Sequence, residues 1–122
     1  MKLEDLEVYK LSREISRLIW EEYEKLNWQD KKVMGDQWIS AIDSIGANIA
    51  EGFGRFHYLD KNKFNYNARG SLLESIYWTH VLFERKRIPM ETHKILLEGL
   101  ESLHHKLNNY IRTTKEQVNP RN

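Results

Sequence analysis

The 122-residue chain contains no cysteine, which excludes disulfides, thiolate metal sites and cysteine nucleophiles together. It has only two prolines and six glycines, so few positions can break a helix or force a turn. No apolar run approaches the ~18 residues that a membrane span requires, and a membrane partner is not expected. The first residues, Met1-Lys2-Leu3-Glu4-Asp5, are acidic and amphipathic, unlike a signal peptide; the expectation is a cytoplasmic protein. Nor does one sign of charge dominate. Nineteen Lys/Arg stand against eighteen Asp/Glu, too even for composition alone to indicate a nucleic-acid binder.

The charge is unevenly placed. Residues 1–53 hold seven basic and eleven acidic side chains, a balance of −4, and residues 54–122 hold twelve and seven, a balance of +5. Aromatic residues are plentiful, with four Trp, six Tyr and four Phe. A domain of this size has room to bury only some of them, and association of chains would cover others.

Helical periodicity recurs four times. In the first segment, about 4–26, Val8, Leu11, Ile15, Leu18, Ile19 and Leu26 share one face. Asn27–Lys32 reads as a loop. The second segment, about 33–53, aligns Met34, Trp38, Ile42, Ile45, Ile49 and Phe53, with a polar seam of Gln37, Ser44, Asn48 and Glu51 beside them. Gly46, Ala47 and Ala50 would let a neighbouring helix approach closely. Gly52-Phe53-Gly54 is expected to end this helix through a left-handed glycine, and Asp60 to cap the next.

The third segment, about 61–87, carries two stripes. Phe64, Ala68, Leu72, Ile76, Thr79 and Phe83, with Leu82 alongside, form one; Tyr66, Gly70, Leu73 and Tyr77, with Val81 near them, form another. A helix buried on one side needs one stripe, so the second is assigned to a subunit interface. Ile88-Pro89 interrupts the chain. The fourth segment, about 90–115, aligns Leu96, Leu100, Leu103, Leu107, Tyr110 and Ile111. Asn119–Asn122 reads as a frayed end. Four long helices with short connections predict a single all-α domain, an up-down-up-down four-helix bundle.

Catalytic chemistry finds little support. A di-metal carboxylate bundle needs two Glu-x-x-His pairs, whereas Glu101-Ser102-Leu103-His104 is the one such pair here; no metal and no cofactor is assigned. Gly52-Phe53-Gly54 lacks the third glycine and the preceding strand of a dinucleotide fingerprint. No serine has an arguable base or oxyanion partner, and the protein is read as not an enzyme.

Two groups of polar residues remain. Arg55, Lys61, Lys63 and Arg69 are interleaved with Phe56 and Tyr58, pairing cations for phosphates with rings for bases, as single-stranded RNA or DNA requires. Arg85-Lys86-Arg87 is a second cluster, whose charges would also complement a helix C-terminus. Asn48, Glu51, Ser71 and Glu74, with Arg55 and Arg69, read as a structural polar network between helices 2 and 3 or between subunits; the other reading is a ligand or RNA contact.

The run Ser44-Ile45-Gly46-Ala47-Asn48-Ile49-Ala50-Glu51-Gly52-Phe53-Gly54-Arg55, followed by Phe64, Ala68-Arg69-Gly70-Ser71 and Glu74, resembles the four-helix-bundle family encoded in intervening sequences of bacterial 23S ribosomal RNA genes, the S23 ribosomal protein family. The resemblance spans essentially the whole chain. It implies an up-down bundle assembled as a ring-like homopentamer, similar in architecture to the accessory variability protein of diversity-generating retroelements, which binds nucleic acid and a reverse transcriptase. Members of the family often carry arginines just before the Ser-Ile-x-x-Asn-Ile run; here that stretch is Gln37-Trp38-Ile39-Ser40-Ala41-Ile42-Asp43, so any phosphate contact made there is missing. The expectation is a homo-oligomer with Tyr66, Gly70, Leu73 and Tyr77 at its interface. It would act as an RNA- or DNA-binding accessory protein or, alternatively, as a protein-interaction scaffold that binds no nucleic acid.

Overall fold

The computed structural model describes residues 1–116; the end expected to fray, Asn119–Asn122, lies outside them. Every regular element among the described residues is helical. We number the four long helices α1 (Glu7–Glu24), α2 (Asp36–Phe53), α3 (Tyr58–Glu84) and α4 (Met90–Glu116). A 3-10 turn at Leu3–Asp5 precedes α1. α2 packs on α1 and α3, and α4 on α3 and α1. With connections too short for crossovers, sequential neighbours run antiparallel and close an up-down-up-down bundle. No described helix is long and apolar enough to cross a membrane.

The core is supplied unequally. Ile15 and Ile19 of α1, Trp38, Ile42, Ile45 and Ile49 of α2, and Leu96, Leu100, Leu103 and Leu107 of α4 are fully enclosed. Each contributes roughly 1.5–3 kcal/mol through removal of apolar surface from water. α3 differs. Its buried residues are Asn62, Asn65, Ala68, Leu72, Ser75, Thr79, Val81 and Leu82, half of them polar. Of the stripe expected to be its core face, Ala68, Leu72, Thr79 and Leu82 are buried, while Phe64, Ile76 and Phe83 are only half-buried at its edges. The short polar side chains are accommodated by bonding to each other and to the backbone. Trp38 Nε1 donates to Thr79 Oγ1 (3.0 Å), Thr79 Oγ1 donates to the Ser75 carbonyl (2.7 Å), and Asn62 Nδ2 donates to the Ile111 carbonyl (3.2 Å).

The connections correct several expectations. Asn27–Lys32 is not a loop. A helical turn at Trp28–Asp30 and a π-helical stretch at Lys31–Gly35 lead directly into α2. Asn27 caps this start, its Oδ1 accepting from the Asp30 backbone N–H at 2.8 Å, as an N-cap asparagine does. The π turn lays Gly35 against Tyr23, whose ring would lie 2.9 Å from any added Cβ. Tyr23 donates its hydroxyl to Asp36 at 2.6 Å; that bond, burial and the carboxylate's charge push the phenol above its usual range.

Gly54, at the C-cap of α2, is right-handed (φ −78°), and no described glycine has positive φ. Gly52 serves closeness instead: a Cβ there would meet the Lys61 carbonyl oxygen at 2.9 Å and Phe64 Cβ at 3.0 Å. α3 starts after His57, so Asp60 sits inside its first turn and does not cap it. α3 also ends at Glu84, which places Arg85-Lys86-Arg87 beyond the helix. Lys86 takes the left-handed conformation (φ 61°), with Lys86 N–H donating to the Phe83 carbonyl and Arg87 N–H to the Leu82 carbonyl, a Schellman cap built on lysine. Arg87 Nε reaches Asp30 at 2.6 Å, tying this turn to the start of the α2 lead-in.

Candidate nucleic-acid interface and assembly face

The turn from α2 to α3 gathers most of the residues predicted to contact nucleic acid, and several already have intramolecular work. Arg55 pairs with Glu51 one helical turn away (2.7 Å) and lies over the Phe64 ring (4.9 Å). Lys61 Nζ donates to the Phe53 carbonyl at 3.0 Å and faces that residue's ring, closing the turn. Arg69 stands further along α3, where Nη1 donates to Asn108 Oδ1 (2.9 Å) and the guanidinium stacks on Tyr66 (5.2 Å). Tyr58 is half-buried. Phe56, 91% exposed, meets the His57 ring edge-on at 5.2 Å, and Lys63 is exposed with no acidic partner among the described residues. Among the described residues the turn therefore offers one exposed ring, Phe56, and one cation without an acidic partner, Lys63, with Arg55 exposed nearby.

The polar network forms in part. Ser71 Oγ donates to Ser44 Oγ at 3.0 Å, and Asn48 Nδ2 donates to Ser44 Oγ (3.0 Å) and to the Ser44 carbonyl (2.8 Å), which joins α2 to α3 through Ser44. Glu51 is taken up by Arg55, and Glu74 accepts from Trp78 Nε1 of its own helix at 3.3 Å; both carboxylates stand outside the Ser44 cluster. A second polar group had no signal in apolar periodicity: Asn65 Nδ2 donates to Asn62 Oδ1 at 3.0 Å inside the bundle, near the turn that carries Lys61.

The second stripe of α3 points away from the core. Tyr66, Leu73 and Tyr77 are 40%, 52% and 57% exposed, and Leu59, which the periodicity reading omitted, continues the row. At 100° per residue these four fall within about 40° of one another, about 100–140° round the helix from Leu72. Gly70 interrupts the row, and apart from its own stretch of helix no described atom of the chain lies within 4 Å of where its Cβ would be. Val81, placed near this stripe by sequence, is buried.

At the far end of the α3–α4 hairpin, His80 Nδ1 and His93 Nε2 approach to 3.1 Å, and Phe83 stacks on the His93 ring. Burial, then the neighbouring His80, hold His93 below its usual range, against a smaller opposing pull from Glu84. Among the described residues no three or more His, Asp or Glu side chains converge as metal ligands.

A solved structure of a protein of unknown function from the S23 ribosomal protein family of Bacteroides thetaiotaomicron VPI-5482 superposes with a TM-score of 0.79 at 26% identity, covering 85% of this chain and 97% of that one. No curated protein matches. A family model described as 23S rRNA-intervening sequence protein matches residues 4–109. Match and superposition together span the bundle and both α3 faces, and the chain belongs to the 23S rRNA-intervening sequence protein family.

Proposed function

We propose that this protein is a non-catalytic bundle that assembles with copies of itself and, once assembled, binds single-stranded RNA or DNA. The observation that carries the reading is the outward row Leu59, Tyr66, Leu73 and Tyr77 on α3. A row of exposed large apolar side chains on one face of a helix already packed on its other side is the kind of surface a protein contact covers. Assembly makes the weak nucleic-acid site useful. One exposed Phe56 and one unpaired Lys63 per protomer bind feebly, but repeated around an oligomer they engage a strand at several points, and linked contacts multiply. Phe56 supplies the stacking ring, Lys63 and Arg55 the phosphate contacts, and Lys61 and Arg69 hold the turn and the α3–α4 face in place.

Anisotropy of a labelled single-stranded oligonucleotide tests this. Affinity should fall steeply as salt rises from about 50 to 200 mM, with a logarithmic slope near −0.7 per phosphate neutralised. Lys63→Glu should abolish binding, and Phe56→Ala should weaken it by about 1–3 kcal/mol per stacked base. No binding at low salt, or binding indifferent to salt, would overturn the nucleic-acid part. One observation favours a second reading, a protein-interaction scaffold: Arg55, Lys61 and Arg69 are all engaged within the protomer. A stoichiometric protein partner retained after nuclease treatment would support that reading instead.

A further inference from the structure

At the end of the α3–α4 hairpin two imidazole nitrogens face each other across 3.1 Å, and neither belongs to the outward row of α3 or to the turn proposed to meet nucleic acid. We propose that His80 and His93 form a binding site for a late first-row divalent cation, of the class of Zn²⁺, Ni²⁺ or Cu²⁺, which bridges α3 to α4 and keeps water on its remaining positions. Spacing is the observation that carries this. A metal–imidazole bond is about 2.0–2.1 Å long. A cation holding His80 Nδ1 and His93 Nε2 at their present separation would therefore subtend a nitrogen–metal–nitrogen angle of roughly 95–100°. That lies between the right angle of square-planar or octahedral coordination and the tetrahedral angle, the geometries these metals adopt. Two packed helices thus hold two ligands at a chelating distance. Aiming both lone pairs at one point takes rotation of the rings and no movement of the helices.

The fold fixes where these rings stand. His80 is exposed near the end of α3, and His93 is half-buried in the first turn of α4. Phe83 lies flat against His93, with centroids 4.0 Å apart and planes 9° from parallel, while the two imidazoles meet at 61°. Stacking restrains the His93 ring, so less rotamer freedom remains to be lost on binding. The hairpin turn is braced too, by the Lys86 and Arg87 N–H groups bonded back to α3. As the two rings stand, one nitrogen donates to the other. A neutral imidazole has one proton for two nitrogens, so the donor ring can carry that proton on its outer nitrogen and offer its inner lone pair, with no net proton released. The donor set selects among cations. Neutral imidazole suits zinc, copper and nickel, whereas Mg²⁺ and Ca²⁺ take oxygen ligands, and a chain without cysteine has no competing thiolate. Glu84, one turn beyond His80, lies close enough for its charge to act on His93 and adds negative potential beside the cation. Among the described residues no third ligand converges, so the site is exchangeable, unlike the closed four-ligand sites of structural zinc.

Calorimetric titration of the full chain with ZnCl₂, NiCl₂ and CuCl₂ at neutral pH tests the site. The parent chain should take up one cation per protomer, Cu²⁺ most tightly as the Irving–Williams order requires, and MgCl₂ should give no binding heat. His80→Gln and His93→Gln should each weaken binding by about 10–100-fold or more, since changing even an outer-shell partner costs that much. A His104→Gln/His105→Gln chain should bind as the parent does. With one equivalent of copper, electron paramagnetic resonance should show coupling to two imidazole nitrogens in the parent and to no more than one in His80→Gln. The bound cation should also raise the melting temperature of the parent and leave that of His80→Gln unmoved, because only the folded chain presents both ligands together. His80 is exposed, so its variant keeps its helical circular dichroism and remains readable should His93→Gln unfold. Equal affinity in the parent and His80→Gln, or no binding of any of the three cations, would overturn the site and leave the pair a hydrogen bond alone.

Discussion

Gly52 and Lys86 show how single residues set the two ends of α3, and in each case the expected chemistry is displaced. Gly52 sits in ordinary right-handed helix, and its missing side chain lets the backbone of α3 approach α2. Gly52→Ala would drive a methyl into the Lys61 carbonyl and should destabilise by about 1–3 kcal/mol, the usual cost of overpacking, read as a fall in the melting temperature. Lys86 is the reverse, a side chain where the backbone is left-handed. Lys86→Gly should stabilise by about 0.5–1 kcal/mol, because a Cβ in that conformation costs about 1–2 kcal/mol and glycine's added unfolded-state entropy offsets part of the gain. His93 gives a pH dependence. Its proton affinity is lower folded than unfolded, so the unfolded chain binds more protons on acidification, and stability is lost as pH falls through the unfolded value of 6.5. The decline of the melting temperature below that pH should be shallower in His93→Gln.

At the scale of elements, the α2 lead-in and α3 carry the argument. The bend between α1 and α2 rests on Asn27, and Asn27→Ala should lower stability by about 1 kcal/mol in chemical denaturation, without altering the slope of the transition. α1, α2 and α4 were legible in the sequence, since Ile15, Ile19, Ile42, Ile49, Leu100 and Leu107 recur at helical spacing and are all enclosed. The α2 lead-in was not, because Trp28-Gln29-Asp30-Lys31-Lys32 has no apolar face and its helicity comes from a cap and a π turn. α3 was legible only in part. Periodicity scores greasy residues, whereas the inner face of α3 uses Asn62, Asn65, Ser75 and Thr79, whose partners lie on other turns and helices. The candidate site followed the same rule. Residue type picked out Arg55, Lys61 and Arg69; the Glu51 partner of Arg55 is readable at i,i+4 spacing, but Phe53 and Asn108, which occupy Lys61 and Arg69, become neighbours only through the turn and the α3–α4 packing.

For the whole molecule, the proposed assembly couples stability to concentration. A folded oligomer in equilibrium with unfolded monomer gains stability by mass action. The melting temperature of the parent chain should therefore climb on concentrating the sample, and the Leu73→Glu/Tyr77→Glu protein should melt at one temperature regardless of dilution. Calorimetry across a concentration series checks both. Arg87 and Asp30 bear on the same scale. Their contact joins the α3–α4 turn to the α2 lead-in, so the hairpins α1–α2 and α3–α4 are tied at that end, while Lys61 ties α2 to α3 at the other.

The inner face of α3 has one more consequence, for how this helix tolerates change. Swapping Thr79 for valine removes the acceptor that Trp38 uses, and lengthening Ser75 or Ala68 crowds a sealed interior, so substitutions toward oiliness or bulk should be the harmful ones there. On the opposite side, hydrophilic replacements at Leu59 or Leu73 leave the single chain intact. A saturation scan of Tyr58–Glu84, scored purely for whether the isolated chain folds, would show that inverted polarity preference at Asn62, Asn65, Ser75 and Thr79, and the ordinary one at Leu72, Val81 and Leu82.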